Sequence, residues 1–186
     1  MNLGLASKLS IVGLILFILA GCSRSILVSA TGVDNAEHYV LVTKWGSFGT
    51  ANGRFSGVGG IGLDALGHIY VVDRGNDLIE KFDSNGKFIT AWGSRGTANG
   101  QFASPEGITV DASGNVYVAD HGNDRIEKFD SNGSFITAWG SHGINNGQFS
   151  EVADVTVDSA GHVYVSDYGD NTVKVFGLGT NSIALS

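Results

Sequence analysis

Residues Asp77 to Gly93 read DLIEKFDSNGKFITAWG, and residues Asp124 to Gly140 read DRIEKFDSNGSFITAWG. The two stretches lie 47 residues apart and differ only at Leu78/Arg125 and Lys87/Ser134. The same spacing runs through Trp45, Trp92 and Trp139, through Asp73, Asp120 and Asp167, and through Phe82, Phe129 and Phe176. A fixed period of this length marks a repeat architecture. Residues shared by the units are scaffold by this reading. A register that changes from unit to unit is where function can reside.

One unit resolves into strands and turns. Gly107–Asp111 and Val116–Asp120 are short runs rich in β-branched residues, separated by the turn Ala112–Asn115. His121–Asp124 is a second turn. Arg125–Phe129 alternates polar and apolar as a half-buried strand does. Asp130-Ser-Asn-Gly133 then carries an Asn-Gly pair, whose readiness for positive φ predicts a hairpin into Ser134–Trp139. Nothing after residue 22 reads as a helix. Four-stranded antiparallel units in tandem predict an all-β fold, a β-propeller. One blade cannot bury its own faces, so the recurring Trp, Phe and Ile are expected to form the core between blades.

Residues 100–133 carry Gly100-Gln-Phe102, Pro105-Glu-Gly-Ile-Thr-Val-Asp111, Gly114-Asn-Val-Tyr-Val-Ala-Asp120, Gly122-Asn-Asp-Arg-Ile126 and Phe129-Asp-Ser-Asn-Gly133. This pattern resembles the NHL repeat, and the resemblance runs from Lys44 to about Phe176. It implies a propeller of NHL-type blades, about three in this chain, and so an incomplete ring. The repeats fall at about 45–91, 92–138 and 139–186 within a domain of residues 38–186. It implies no single function, because NHL propellers share a scaffold across protein-binding, RNA-binding and lyase examples. Val58 and Val152 replace Pro105, and Leu78 and Thr172 replace Arg125. If Arg125 braces its blade through a neighbouring carboxylate, the other two blades lack that brace.

The chain opens differently. Lys8 precedes an apolar run, Leu9–Ala20, of signal-peptide length. The run ends in Leu19-Ala-Gly-Cys22, which resembles the lipobox of bacterial lipoproteins. The resemblance implies cleavage of residues 1–22 before a lipidated Cys22, a tether over 23–37, and a membrane-anchored domain facing the periplasm or the exterior. Ser23 after the cysteine implies outer-membrane or surface retention in a host with two membranes. Cys22 is the only cysteine, so the domain has no disulfide and relies on packing. A net charge of −7 without a Lys/Arg cluster argues against a nucleic-acid partner.

The meander fixes which loops share a face. With strands a to d from inner to outer, the d–a loops and b–c turns lie on one side. The a–b and c–d turns lie on the other. On the first side Arg74, His121 and Tyr168 occupy one register, and Phe48, Arg95 and His142 another. Glu106 and Asp154 sit at or near the starts of inner strands. Their chemistry changes while their surroundings repeat, which makes this face the candidate binding face for a protein, peptide or glycan. Asp73, Asp120 and Asp167 could ring a central channel and hold Ca²⁺, but Asp at strand ends next to turns also caps backbone N–H groups. No HExxH, CxxC or GxSxG spacing is present, and nothing selects a catalytic triad. The enzyme alternative is a propeller lyase or lactonase with a channel metal, as the resemblance allows.

Tyr39–Trp45 aligns with the fourth strand of the repeat and is expected to be an isolated d strand. Gly177–Ser186 falls where the third unit's fourth strand belongs, with Ser182 in the Phe register and Ser186 in the Trp register. An open arc leaves edges and apolar faces bare. A homodimer completing a six-bladed ring would cover them; the alternative is that the sequence is a fragment or a degraded gene product.

Overall fold

The computed structural model describes residues 37–179. The signal segment, Cys22, the tether up to residue 36 and residues 180–186 lie outside the described residues, and so do the expectations that fall on them. Residues 37–41 carry no regular secondary structure.

Three antiparallel sheets follow one another. The first blade comprises β1 (Val58–Leu63), β2 (Ile69–Asp73), β3 (Leu78–Phe82) and β4 (Phe88–Trp92). The second comprises β5 (Ile108–Val110), β6 (Val116–Asp120), β7 (Arg125–Phe129) and β8 (Phe135–Trp139). The third has β9 (Val152–Val157), β10 (Val163–Asp167) and β11 (Thr172–Phe176). Each is an up-and-down meander, so strands a to d run in chain order, and Trp92 and Trp139 close a blade. The fold is that of propeller blades, as the repeat implies. Among the described residues the only helical turn is a 3₁₀ segment, His121–Asn123.

Turn chemistry sets the hairpins. At each a–b turn an Asp Oδ1 accepts two backbone N–H bonds, from Leu66 and His68 at Asp64, Ser113 and Asn115 at Asp111, and Ala160 and His162 at Asp158. The c–d turns do the same through Asp83 and Asp130. There the sequence expectation needs correction. Only Gly86 and Gly133 take positive φ (79° and 87°), while Asn85 and Asn132 do not. The turn has one left-handed residue and a register shift behind it, at Lys81/Phe82 and Lys128/Phe129, so it is a bulged hairpin rather than a two-residue one.

The core lies between blades. Tyr70, Val72 and Ile79 of the first blade meet Phe102, Ile108, Val116, Val118 and Phe129 of the second. Tyr117, Ala119 and Ile126 of the second meet Phe149, Val152, Val155, Val163 and Val165 of the third. Each buried Val, Ile or Phe contributes roughly 1.5–3 kcal/mol, so the junctions hold the arc together. A Trp ladder runs across them. Trp45 packs on Phe82, Trp92 on Phe129 and Trp139 on Phe176, with ring centroids 6.1, 5.9 and 5.8 Å apart. A c–d turn glycine seats two of the indoles, Trp45 and Trp92. A Cβ at Gly133 would lie 2.5 Å from Trp92 Cδ2, and one at Gly86 2.8 Å from Trp45 Cδ2.

The expected d strand at Tyr39–Trp45 does not form, since residues 37–47 pair with no strand. Strand d is held by strand c of its own blade, and none of the described c strands pairs with this segment. Trp45 nevertheless takes the ladder position.

Arg125 does brace the second blade. Its Nε donates to Asp120 Oδ2 at 3.0 Å, a nitrogen of the fork contacts Glu127 Oε1, and the fork also donates to the carbonyls of Thr97, Ala98 and Gln101. The third blade is braced too, contrary to the expectation from Thr172. Lys174, two residues on along β11, donates to Asp167 Oδ2 and Asp170 Oδ2, each at 2.6 Å. Only the first blade, with Leu78, has no cation in that place.

Candidate functional site

The b–c turns and d–a loops share one face. Arg74 N donates to the Gly57 carbonyl, Gly122 N to that of Ala103 and Tyr168 N to that of Glu151. Asn76 and Asn123 reach further, donating side-chain N–H to Gly49 and Gly96. In each d–a loop the variable residue sits in the same backbone bridge, Phe48 to Phe55, Arg95 to Phe102 and His142 to Phe149. The backbone therefore repeats while the side chain changes, which is the condition the sequence reading required. Phe48 is 82% exposed, and Arg95 is exposed. His142 Nδ1 lies 3.0 Å from Asp124 Oδ2.

The other register behaves differently. Arg74 Nη1 pairs with Glu106 Oε1 at 2.9 Å, from the first blade to the second. His121 Nδ1–H donates to the Val152 carbonyl at 2.9 Å, from the second blade to the third. These two residues clasp neighbouring blades, a role that spacing alone does not reveal. Tyr168 holds the same register on the third blade and is 74% exposed. Ile144, which the sequence reading did not single out, also projects from this face and is 75% exposed. Its apolar side chain in the register of Thr50 and Thr97 was the available signal.

Arg74, Glu106 and Asp154 come together around an open depression of about 330 Å³ at the inner strands. Gly59, Gly60 and Gly107 also line it. They permit the close approach of neighbouring strands. A Cβ at Gly60 would sit 2.8 Å from the Glu106 carbonyl oxygen, and one at Gly107 2.3 Å from Asp154 Oδ1. The site thus offers a cation and two carboxylates over bare backbone, with Val58 and Ala153 beside them.

The Asp73, Asp120 and Asp167 register is turned to a different use. Asp73 Oδ1 accepts N–H bonds from Ser56, Gly57 and Asn76. Asp120 Oδ1 accepts one from Ala103, and the Asp167 oxygens accept from Ser150 and Glu151. Each carboxylate pins the loop of its own blade, so the three do not gather at a channel. Among the described residues no group of three or more His, Cys, Asp or Glu is placed to hold a metal ion. Their chemistry follows their partners. Burial raises the Asp120 carboxyl despite its hydrogen bonds. Burial acts the same way on Asp167, but Lys174 and the loop N–H groups outweigh it and hold that carboxyl low. On the opposite face, hydrogen bonds from the His162 side chain and backbone hold Asp158 down to about 2.

The NHL repeat family model matches residues 102–129 and 149–176, strands a to c of the second and third blades with the loops before them. These segments are NHL repeats. The first blade folds as they do, strand for strand. No curated protein matches the chain. Among solved structures it is similar to the hydrazine synthase of Kuenenia stuttgartiensis, at 15% identity and a TM-score of 0.54 over 76% of this chain and 37% of that one. It is also similar to a structural genomics protein of unknown function from Bacteroides thetaiotaomicron, at 19% identity and a TM-score of 0.52 over 58% and 32%. A streptogramin B lyase structure aligns at 22% identity and a TM-score of 0.47 over 67% and 41%. At these identities the likeness is one of fold. The chain spans about a third to two fifths of the structures it matches.

Proposed function

We propose that this chain is an extracytoplasmic binding module, anchored to a membrane through lipid on Cys22, that takes a protein, peptide or glycan on the face of its d–a loops and b–c turns. One observation carries the binding reading. The same backbone bridge presents Phe48, Arg95 and His142, three unlike side chains, from three blades. Side chains on a fixed frame lose little entropy on binding, and exposed aromatic and aliphatic groups supply contact area. Phe48, Ile144 and Tyr168 provide that area, and the Arg74–Glu106–Asp154 depression provides directional polar groups. The anchor reading rests on the Leu9–Cys22 sequence, and loss of fatty-acid labelling in Cys22→Ser checks it.

The face is tested by panning the full-length protein against a random-peptide display library and a panel of purified cell-envelope glycans. The double variant Phe48→Ser, Ile144→Ser is expected to lose the ligands that the parent enriches, with its unfolding midpoint unchanged because both side chains are exposed. Equal enrichment by the variant would remove this face from the proposal.

A further inference from the structure

The two ends of the arc match each other. At the internal junctions a c-strand residue faces the Trp of strand d, Ile79 opposite Trp92 and Ile126 opposite Trp139. Both isoleucines are fully buried. Their counterpart Val173 on β11 is 67% exposed, and Val175 beside it is exposed as well. On the inner strands Ile108 and Val155 are buried, while their counterpart Ile61 on β1 is 60% exposed. The first blade therefore shows the surface that receives a preceding blade, with Trp45, Phe55, Val58, Ile61 and Val71 around a hollow of about 220 Å³. The third blade shows the surface that precedes a following one, through Tyr164 and Val173 around another of about 210 Å³.

A larger slot lies at the edge of the described third blade. At the first junction Phe135, on strand d of the second blade, packs against the core, and the turn before it receives Lys81 Nζ on the Ser131 carbonyl. At the second junction the corresponding place is an apolar slot of about 700 Å³ between Trp139, Ile136, Val163 and Phe176. Among the described residues one d-type segment pairs with no c strand, Val40–Trp45. Its Trp45 already stacks on Phe82, as Trp92 and Trp139 stack on the blades that follow them.

We infer that the third blade of one copy takes Val40–Trp45 of a second copy as its fourth strand, so that two chains join head to tail. The internal blades fix the register. Trp45 of the second copy stands opposite Val173, as Trp92 stands opposite Ile79. Thr43 stands opposite Val175, as Thr90 stands opposite Lys81. Leu41 takes the Phe88 place, facing Phe176 and the slot. This pairing gives β11 a ladder partner and covers an exposed edge. It also lays the Ile61 surface of one chain on the Tyr164–Val173 surface of the other. Lys44 falls opposite Lys174, whose charge is already met by Asp167 and Asp170. A reciprocal exchange satisfies both copies and closes a two-fold dimer.

Disulfide trapping tests the register on the full-length chain in detergent under mild oxidation. A mixture of Thr43→Cys chains and Val175→Cys chains is expected to give a disulfide-linked species of twice the chain mass. Either variant alone should show only the background set by Cys22. Adding Val173→Asp to the Val175→Cys chain should abolish the linked species and leave a monomer that still unfolds cooperatively, since Val173 is exposed in the single chain. Linkage of the mixture no higher than background, as would follow if residues 180–186 of the same chain filled the edge, overturns the pairing. Linkage that survives Val173→Asp overturns it too.

Discussion

The first and second blades are built on the same strands and turns, yet they treat buried charge in opposite ways. The second sets Asp120 and Glu127, both fully buried, around the Arg125 guanidinium. The first sets Asp73 and Glu80, equally buried, beside Leu78. Glu80 keeps one hydrogen bond, from the Gly53 N–H at 2.7 Å, where Glu127 keeps the matching bond from Gly100. Burial raises the Glu80 carboxyl, and the Asp73 charge raises it further. The third blade solves the problem a third way, with a lysine in the glutamate register. The repeat thus conserves the acidic residue that pins the loop and varies its counter-charge. A loop pin is local and geometric, whereas a counter-charge can arrive from more than one strand position.

Removing the brace should have the largest effect. Arg125→Leu recreates the chemistry of the first blade in the second. It strips two buried carboxylates and three loop carbonyls of their donor, and is expected to destabilise the fold by about 3–5 kcal/mol. Urea unfolding at neutral pH measures this. A loss below about 1 kcal/mol would mean that the blades differ in sequence but not in their need for a cation.

The next effect is one of pH. Burial pushes Glu127 up to about 7, against the Gly100 N–H and the Arg125 charge. The folded state then holds a proton that the unfolded chain releases near its ordinary value of 4.5. The resulting stabilisation is complete below 4.5 and is lost as pH rises through 7. Over that window it amounts to roughly 3 kcal/mol. Glu127→Gln should flatten this limb in unfolding midpoints taken at a series of pH values. An unchanged slope in the variant would assign the dependence to Glu80 and Asp120, which are raised in the same sense.

The smallest effect is a gain. Leu78→Arg offers the first blade the fork that the second possesses, with Asp73, Glu80 and the carbonyls of Thr50, Ala51 and Arg54 in matching register. A rise in stability of about 1 kcal/mol is expected, read from the same urea transitions. A fall would show that Leu78 is packed too closely for the side chain to reach its acceptors.

Much of the fold was legible because both of its periods are written plainly. Strand alternation and the 47-residue spacing together gave the blades, the shared face and the Trp ladder. The Asn85-Gly86 pair marked the hairpin that forms, but only its glycine takes positive φ, because Asp83 caps a longer turn. The segment before Trp45 misled for a tertiary reason, since a d strand needs a c strand beside it. At the site, the sequence located the register of Arg74 and His121 but not its clasping role. That role depends on which groups of the next blade lie within reach, and those groups are a salt-bridging Glu106 in one case and a bare carbonyl in the other.

The glycine seat under Trp45 and Trp92 has a consequence for how such a chain lengthens. Gly133 belongs to one blade and Trp92 to the blade before, and each is intolerable or useless without the other. Each of the first two 47-residue stretches therefore ends with a ring that its successor must accommodate, and carries the hollow that its predecessor requires. A segment copied in frame, wherever the cut falls, meets itself correctly at the new seam. The lock between blades is inherited with the duplication that creates it and needs no later adjustment.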